Sequence, residues 1–297
     1  MRFVLCQPAN IRFQWEVEVC VTNLLKLGYN EITVLFARDD SSVEKYMTEK
    51  YKDVAGVEVH FIDVNHNVTN AYHPAIKPYL WWKALDQGLL HWSGQYLYMD
   101  SDVILRERLD ESKLQGWTGE WLGSDCSHYL DYDYVMRCKN GEYILNRMAE
   151  ICNVSPFWIK HLKGFPGAQW LVVNPDKRYW HKVYENSLKI YEFLKVVDSD
   201  IQKWTAEMWA QVYTMADFGI TPTVSDELDF AWATDPIERY YETKLLHNAG
   251  VTFDQKNLFF KGSYTHKSPF NDQLPYDETR CSSKYVDAIR NVKMEEN

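Results

Sequence analysis

The chain has 297 residues, 46% of them hydrophobic and 25% charged, with 32 Lys and Arg against 42 Asp and Glu for a formal net charge of −10. This composition suits a globular protein that buries a core of its own, and it excludes disorder, collagen and coiled coil. The negative balance argues against duplex nucleic acid as the main ligand, because neutralising phosphates takes clustered Lys and Arg.

The first hundred residues alternate between two kinds of segment. Phe3–Gln7 is a short apolar run, read as a strand. Trp15–Leu27 carries apolar residues at 17, 20, 21, 24 and 25, a helical stripe that Gly28 and Asn30 close. Ile32–Ala37 (ITVLFA) reads as a buried strand, and Ser42–Tyr51 as a polar helix. Val57–Val64 alternates as a strand does, and Asn65–His73 is a polar loop. Pro74–Trp92 reads as a helix with both its prolines in the first turns. Gln95–Met99 is a strand that runs into Asp100-Ser101-Asp102.

This βαβαβαβ order predicts an α/β fold, a Rossmann-like, mostly parallel sheet flanked by helices. Ligands in such sheets sit beyond the carboxyl ends of the strands, where Asp100 lies. The second half is less regular. It predicts helices over Asn140–Asn153, Asp176–Val196 and Trp204–Ala216, a strand over Ala168–Asn174, short strands and loops to about residue 270, and a terminal helix over Lys284–Val292. No repeat or linker interrupts the chain, which reads as one domain.

The six cysteines, at 6, 20, 126, 138, 152 and 281, form no CxxC pair, so a zinc knuckle is not expected. They read as reduced thiols of a cytoplasmic protein. No apolar stretch is long enough for a spanning helix, and none fits a signal peptide. The sequons Asn67-Val-Thr69 and Asn153-Val-Ser155 therefore read as chance.

The strongest chemical signal is Tyr96–Leu105 (YLYMDSDVIL). It delivers two carboxylates, at i and i+2, which extended backbone would point to one side. Two such carboxylates repel each other unless a cation joins them. A hard divalent ion suits oxygen ligands of this kind, above all one shared with a diphosphate.

This segment resembles the DxD motif of GT-A glycosyltransferases. Leu245-Leu246-His247-Asn248-Ala249-Gly250 is similar to the HxxG part of the HxxGxxKPW motif in glycogenin-like and galactosyltransferase-like members, although residues 251–255 read VTFDQ where that motif continues to KPW. The resemblance implies a GT-A domain over 1–297, with a nucleotide-binding half at 1–106, a donor-sugar and acceptor half at 107–270, and a C-terminal segment at 271–297. It implies Mn²⁺ or Mg²⁺ held by Asp100, Asp102 and His247, with His266 the alternative to His247. Asp102 also counts among the catalytic residues. Gly250 would let the backbone approach the diphosphate. Lys261 and Lys267, in FFKGSYTHKSPF, would neutralise it, as would Lys77. Ala9 and Asn10 lie where the nucleotide base is held. Gly167, Ala168 and Gln169 (GFPGAQWLVVN) would face the donor sugar, and Glu207 would be the catalytic carboxylate on a helix beneath it.

The function so implied is sugar transfer from a nucleotide-sugar, a UDP-sugar first, to a glycan, protein or small-molecule acceptor. A nucleic-acid acceptor is disfavoured by the charge. Retention is favoured over inversion. Loops 125–140 and 225–243 would hold the acceptor specificity. Two other readings stand beside it. DSDVIL approximates the nucleophile motif of haloacid-dehalogenase-like phosphatases, which normally opens the fold on its first strand, whereas three strands precede it here. A non-catalytic sugar-nucleotide binding protein is the other. A sugar nucleotidyltransferase is disfavoured because QPANIRF lacks the glycine-rich phosphate loop.

Overall fold

The computed structural model describes residues 1–64 and 72–295. The Asn67 sequon and most of the polar loop before His73 lie outside the described residues. The strands in chain order are β1 (Arg2–Pro8), β2 (Ile32–Ala37), β3 (Val57–Ile62), β4 (Gln95–Tyr98), β5 (Val103–Leu105), β6 (Glu120–Asp125), β7 (Pro166–Val173), β8 (Thr221–Val224), β9 (Phe230–Trp232) and β10 (Leu245–His247). The chain divides into two compact units, one of residues 1–61, 99–113 and 227–297, the other of residues 62–98 and 114–226. The seven strands of the mostly parallel central sheet fall in the order β3-β2-β1 in the first unit and β4-β7-β6-β8 in the second.

In the first unit β1 runs parallel to β2, in register from Phe3 opposite Ile32 to Pro8 opposite Ala37. Helix Ile11–Lys26 links them. It starts four residues before the stripe suggested, because the Asn10 side chain caps it by accepting from the Phe13 amide. Its apolar stripe is interrupted by two glutamates, Glu16 and Glu18, both buried.

A three-stranded sheet, β5-β10-β9, completes the unit. β10 runs antiparallel to β5 and parallel to β9. One core joins Trp15 and Val19 of the helix, Ile104, Ala231 and Leu246 of these strands, and Tyr285, Val286 and Ile289 of the terminal helix Ser282–Glu295. The Trp15 indole is oriented by donating to the Tyr264 carbonyl at 3.0 Å.

In the second unit β7 is antiparallel to both β4 and β6, and β6 is parallel to β8. Helices Lys177–Val196 and Ala206–Met215 belong to it. The helix predicted over 74–92 is a 3-10 turn at His73–Ala75 followed by Ile76–Asp86. It ends early because Gly88 adopts a left-handed φ of 72° and the Leu89 amide turns back to the Ala84 carbonyl.

Many of the aromatic residues serve packing. Trp81 and Trp180 stack at 4.9 Å, Trp121 stacks on Trp180 at 5.7 Å, and Trp15, Trp81, Trp121, Trp180 and Trp209 are all fully buried. All six cysteines are buried, and no disulfide joins them. Among the described residues no helix is long and apolar enough to cross a membrane.

Candidate functional site

The candidate site lies within the first unit. Asp100, Ser101 and Asp102 leave the strand and form a turn, closed by the Val103 amide donating to the Asp100 carbonyl at 3.3 Å. The carboxylates therefore converge through a turn, not through the alternation of extended backbone. Two outside contacts hold the turn in place. The Met99 amide donates to the Val4 carbonyl of β1 at 3.3 Å, and the Asn248 amide donates to the Asp102 carbonyl at 2.8 Å.

β10 brings the histidine to this turn. Its antiparallel register sets His247 opposite Val103, one residue beyond Asp102. His247 Nε2 lies 3.4 Å from Asp102 Oδ1 and 3.8 Å from Asp100 Oδ2. The ring stacks on Trp232 at 5.4 Å between centroids, which fixes its plane. One ligand atom from each of Asp100, Asp102 and His247 lies within 4.8 Å of the others. Two carboxylates and an imidazole with converging donors fit a divalent cation.

The site already holds a cation of the chain's own. Lys261, opening the 3-10 turn Lys261–Tyr264, places its ammonium on Asp102 Oδ2. Burial pushes the Asp102 carboxyl up, but Lys261 and His247 overcome it and hold it well below the usual carboxylate range. Asp102 is thus an anion, the form a metal needs. Behind the turn, the buried Glu16 accepts from Ser101 Oγ at 3.1 Å and from Arg12 Nε at 2.9 Å.

The other first-unit candidates are placed as follows. Ala9 is pinned at the end of β1, its amide on the Ala37 carbonyl and its carbonyl on the Asp40 amide. The Asn10 side chain serves as the helix cap. Gly250 follows β10 at a φ of 84°, and an added Cβ would meet nothing closer than Thr234 at 3.5 Å. It is needed there for its backbone conformation, not for lack of room. Lys267 pairs with Asp272, and His266 is exposed and outside the Asp–Asp–His cluster.

In the second unit, Lys77 is half-buried in the first turn of its helix. Gly167 makes room for neighbours, since an added Cβ would lie 2.7 Å from Met208 Cε and 3.0 Å from Cys126 Sγ. Ala168 has a left-handed φ of 55°, uncommon for a residue with a Cβ, next to the β6–β7 register shift at Gly123/Ser124. The buried Gln169 accepts from Ser124 Oγ at 2.6 Å. Glu207 is buried in the first turn of its helix, and its amide donates to Tyr72 Oη at 3.0 Å. Burial and the Glu207 charge push the Tyr72 hydroxyl well above its ordinary value.

Sequence reasoning passed over Glu16, Arg12 and Ser101. A signal existed in Arg12 and Glu16 themselves, opposite charges at i, i+4, with Glu16 set between apolar neighbours.

No protein-family model and no curated protein sequence matches the chain. Solved structures do resemble it. It is similar to WbbM, a bifunctional glycosyltransferase in its apo form, with a TM-score of 0.56 at 10% identity over 99% of this chain and 50% of that one. It is similar to the galactosyltransferase LgtC in complex with donor and acceptor sugar analogues, with a TM-score of 0.54 at 13% identity over 98% of this chain and 96% of that one. The chain has the GT-A fold. An active-site variant of LgtC matches equally well, with a TM-score of 0.54 at 14% identity over 97% of this chain and 95% of that one. The chain thus spans half the length of WbbM and nearly all of LgtC. The DxD turn and the histidine stand together in its first unit.

Proposed function

We propose that the protein is a metal-dependent glycosyltransferase that moves a sugar from a nucleoside-diphosphate donor, a UDP-sugar first, to the hydroxyl of a glycan, protein or small molecule. The observation that carries this reading is the convergence of Asp100, Asp102 and His247 on a GT-A fold. These three residues would hold Mn²⁺ or Mg²⁺. Such an ion, when bound, supplies positive charge against the diphosphate as it leaves.

In the proposed transfer the acceptor oxygen forms a bond to the sugar C1, and the bond from C1 to the diphosphate oxygen breaks with its electron pair going to the diphosphate. The acceptor proton passes to a carboxylate base or to the leaving phosphate. The second route gives retention, which the HxxG resemblance favours. Lys261 is a second cation for the diphosphate once it exchanges Asp102 for that group. Lys77 and Lys267 are proposed to assist it, and Gly250 to admit it. Ala9 and Asn10 are proposed to meet the base, Gly167, Ala168 and Gln169 the donor sugar. Glu207 is proposed as the carboxylate that stabilises charge at C1 or orients the acceptor. No observation on the described residues favours a phosphatase or a non-catalytic binding protein.

The test is a panel of nucleotide-sugars with Mn²⁺ and no acceptor, read as donor hydrolysis. Slow release of nucleotide from one donor, abolished by chelator and by Asp102→Ala, is expected. Hydrolysis of phosphate monoesters with none of nucleotide-sugars would replace the reading with the phosphatase.

A further inference from the structure

We propose that Glu16 is a positioning residue for the metal site, orienting the Asp100–Asp102 turn through Ser101. The inference rests on the reading above and adds to it a residue outside the DxD segment.

Ser101 is the residue between the two acids, and it is fully buried. Its hydroxyl donates to Glu16 Oε2 at 3.1 Å across the space between the turn and helix Ile11–Lys26. The other Glu16 oxygen is held by Arg12 Nε at 2.9 Å, one helical turn back. Arg12 and Glu16 share one rigid helix, so the acceptor offered to Ser101 is fixed before the turn meets it. The turn needs such a fixture. Its own closing hydrogen bond is long, at 3.3 Å, and the Met99 and Asn248 amides, on Val4 and Asp102, hold its two ends but not Ser101 between them.

The chemistry of Glu16 supports the assignment. Its carboxyl group is almost fully buried in the same unit as Asp100 and Asp102, and burial pushes it above the usual carboxylate range against the pull of Lys261 and Arg12. Replacing a buried ionic group by a well-packed apolar one is often neutral or stabilising. Fold stability alone therefore gives little reason for a glutamate here. A buried acceptor anchored on a helix and offered to a buried hydroxyl holds the turn in one geometry. Partners that orient metal ligands from behind typically change metal affinity or activity by about 10- to 100-fold when removed.

The test uses the full chain and two readouts, Mn²⁺ binding in the presence of UDP, followed by the spin-resonance signal of free Mn²⁺, and steady-state turnover. Ser101→Ala and Glu16→Ala are each expected to weaken Mn²⁺ binding and lower kcat by roughly 10- to 100-fold, with the donor KM moving far less. The double variant should lose no more than the worse single variant, because both break the same Ser101–Glu16 hydrogen bond. Ser101→Thr keeps the hydroxyl and Glu16→Gln keeps an acceptor oxygen, so both should recover most of the loss. If Glu16→Ala does not fold, the contrast between Ser101→Ala and Ser101→Thr decides alone. Additive losses, or Ser101→Ala with wild-type Mn²⁺ binding and kcat, overturn the proposal while leaving the glycosyltransferase reading intact. A wild-type chain with no Asp102-dependent Mn²⁺ binding overturns both.

Discussion

Asp102 carries more of the candidate site than any other side chain, since Lys261, His247 and the Asn248 amide all meet it. Asp102→Ala should leave a folded protein whose turnover falls by at least roughly 10²–10³-fold, as losing a main electrostatic group does. Asp100→Ala should act alike. Wild-type turnover in Asp102→Ala would end the metal assignment. His247→Ala should weaken Mn²⁺ binding by about one to two orders of magnitude, while the exposed His266→Ala changes it little. The reverse ranking would move the ligand to the 259–270 segment. Glu207→Gln tests a different group. It keeps the volume and removes the charge, so kcat should fall far more than donor affinity. Equal losses in both would make Glu207 a binding residue. No loss would leave it a structural partner of Tyr72, to which its amide is bonded.

At the scale of elements, the site depends on two three-residue strands. β5 and β10 are too short to announce themselves by pattern, yet their register puts His247 beside the DxD turn. The turn after β10 is the element most open to a single test. Gly250 sits at a φ of 84° with space around it, so Gly250→Ala adds backbone strain without a clash. The cost should be about 1–2 kcal/mol in a urea unfolding experiment. A much larger loss would mean that the turn is packed more tightly than its surroundings show. The long helices were legible because their stripes are local, but the Asn10 cap, which starts the first of them four residues before its stripe, was not read as one. Pro74–Trp92 was overextended because nothing in the apolar pattern marks Gly88 as a left-handed stop.

For the whole molecule, the expected signature is linkage between metal and nucleotide. Asp100 and Asp102 repel a free diphosphate, so UDP should raise the melting temperature only with Mn²⁺ or Mg²⁺ present. A ligand at about 100 times its dissociation constant adds roughly 2.7 kcal/mol to the folded state, several degrees for a chain of this size. A thermal-shift grid of UDP and GDP, with metal or chelator, measures it. A shift from nucleotide with chelator would mean that lysines such as Lys261 hold the diphosphate unaided. A shift from Mg²⁺ with beryllofluoride and from no nucleotide would point instead to a nucleophilic Asp100.

The sequence by itself determined the alternation of strands and helices, the αβ class and the DxD pair, because each is written in side-chain periodicity or in neighbouring residues. It also identified His247 as a candidate, but only through resemblance. The tertiary structure decided the rest. It put His247, and not the exposed His266, beside the two aspartates by strand register, and it set Lys261 on Asp102 and Glu16 behind Ser101. Those contacts join residues far apart along the chain, and no local pattern records them. The same holds for Gly167, whose missing side chain makes room for Met208 and Cys126. Which neighbour fills a space is settled only when the core closes around it.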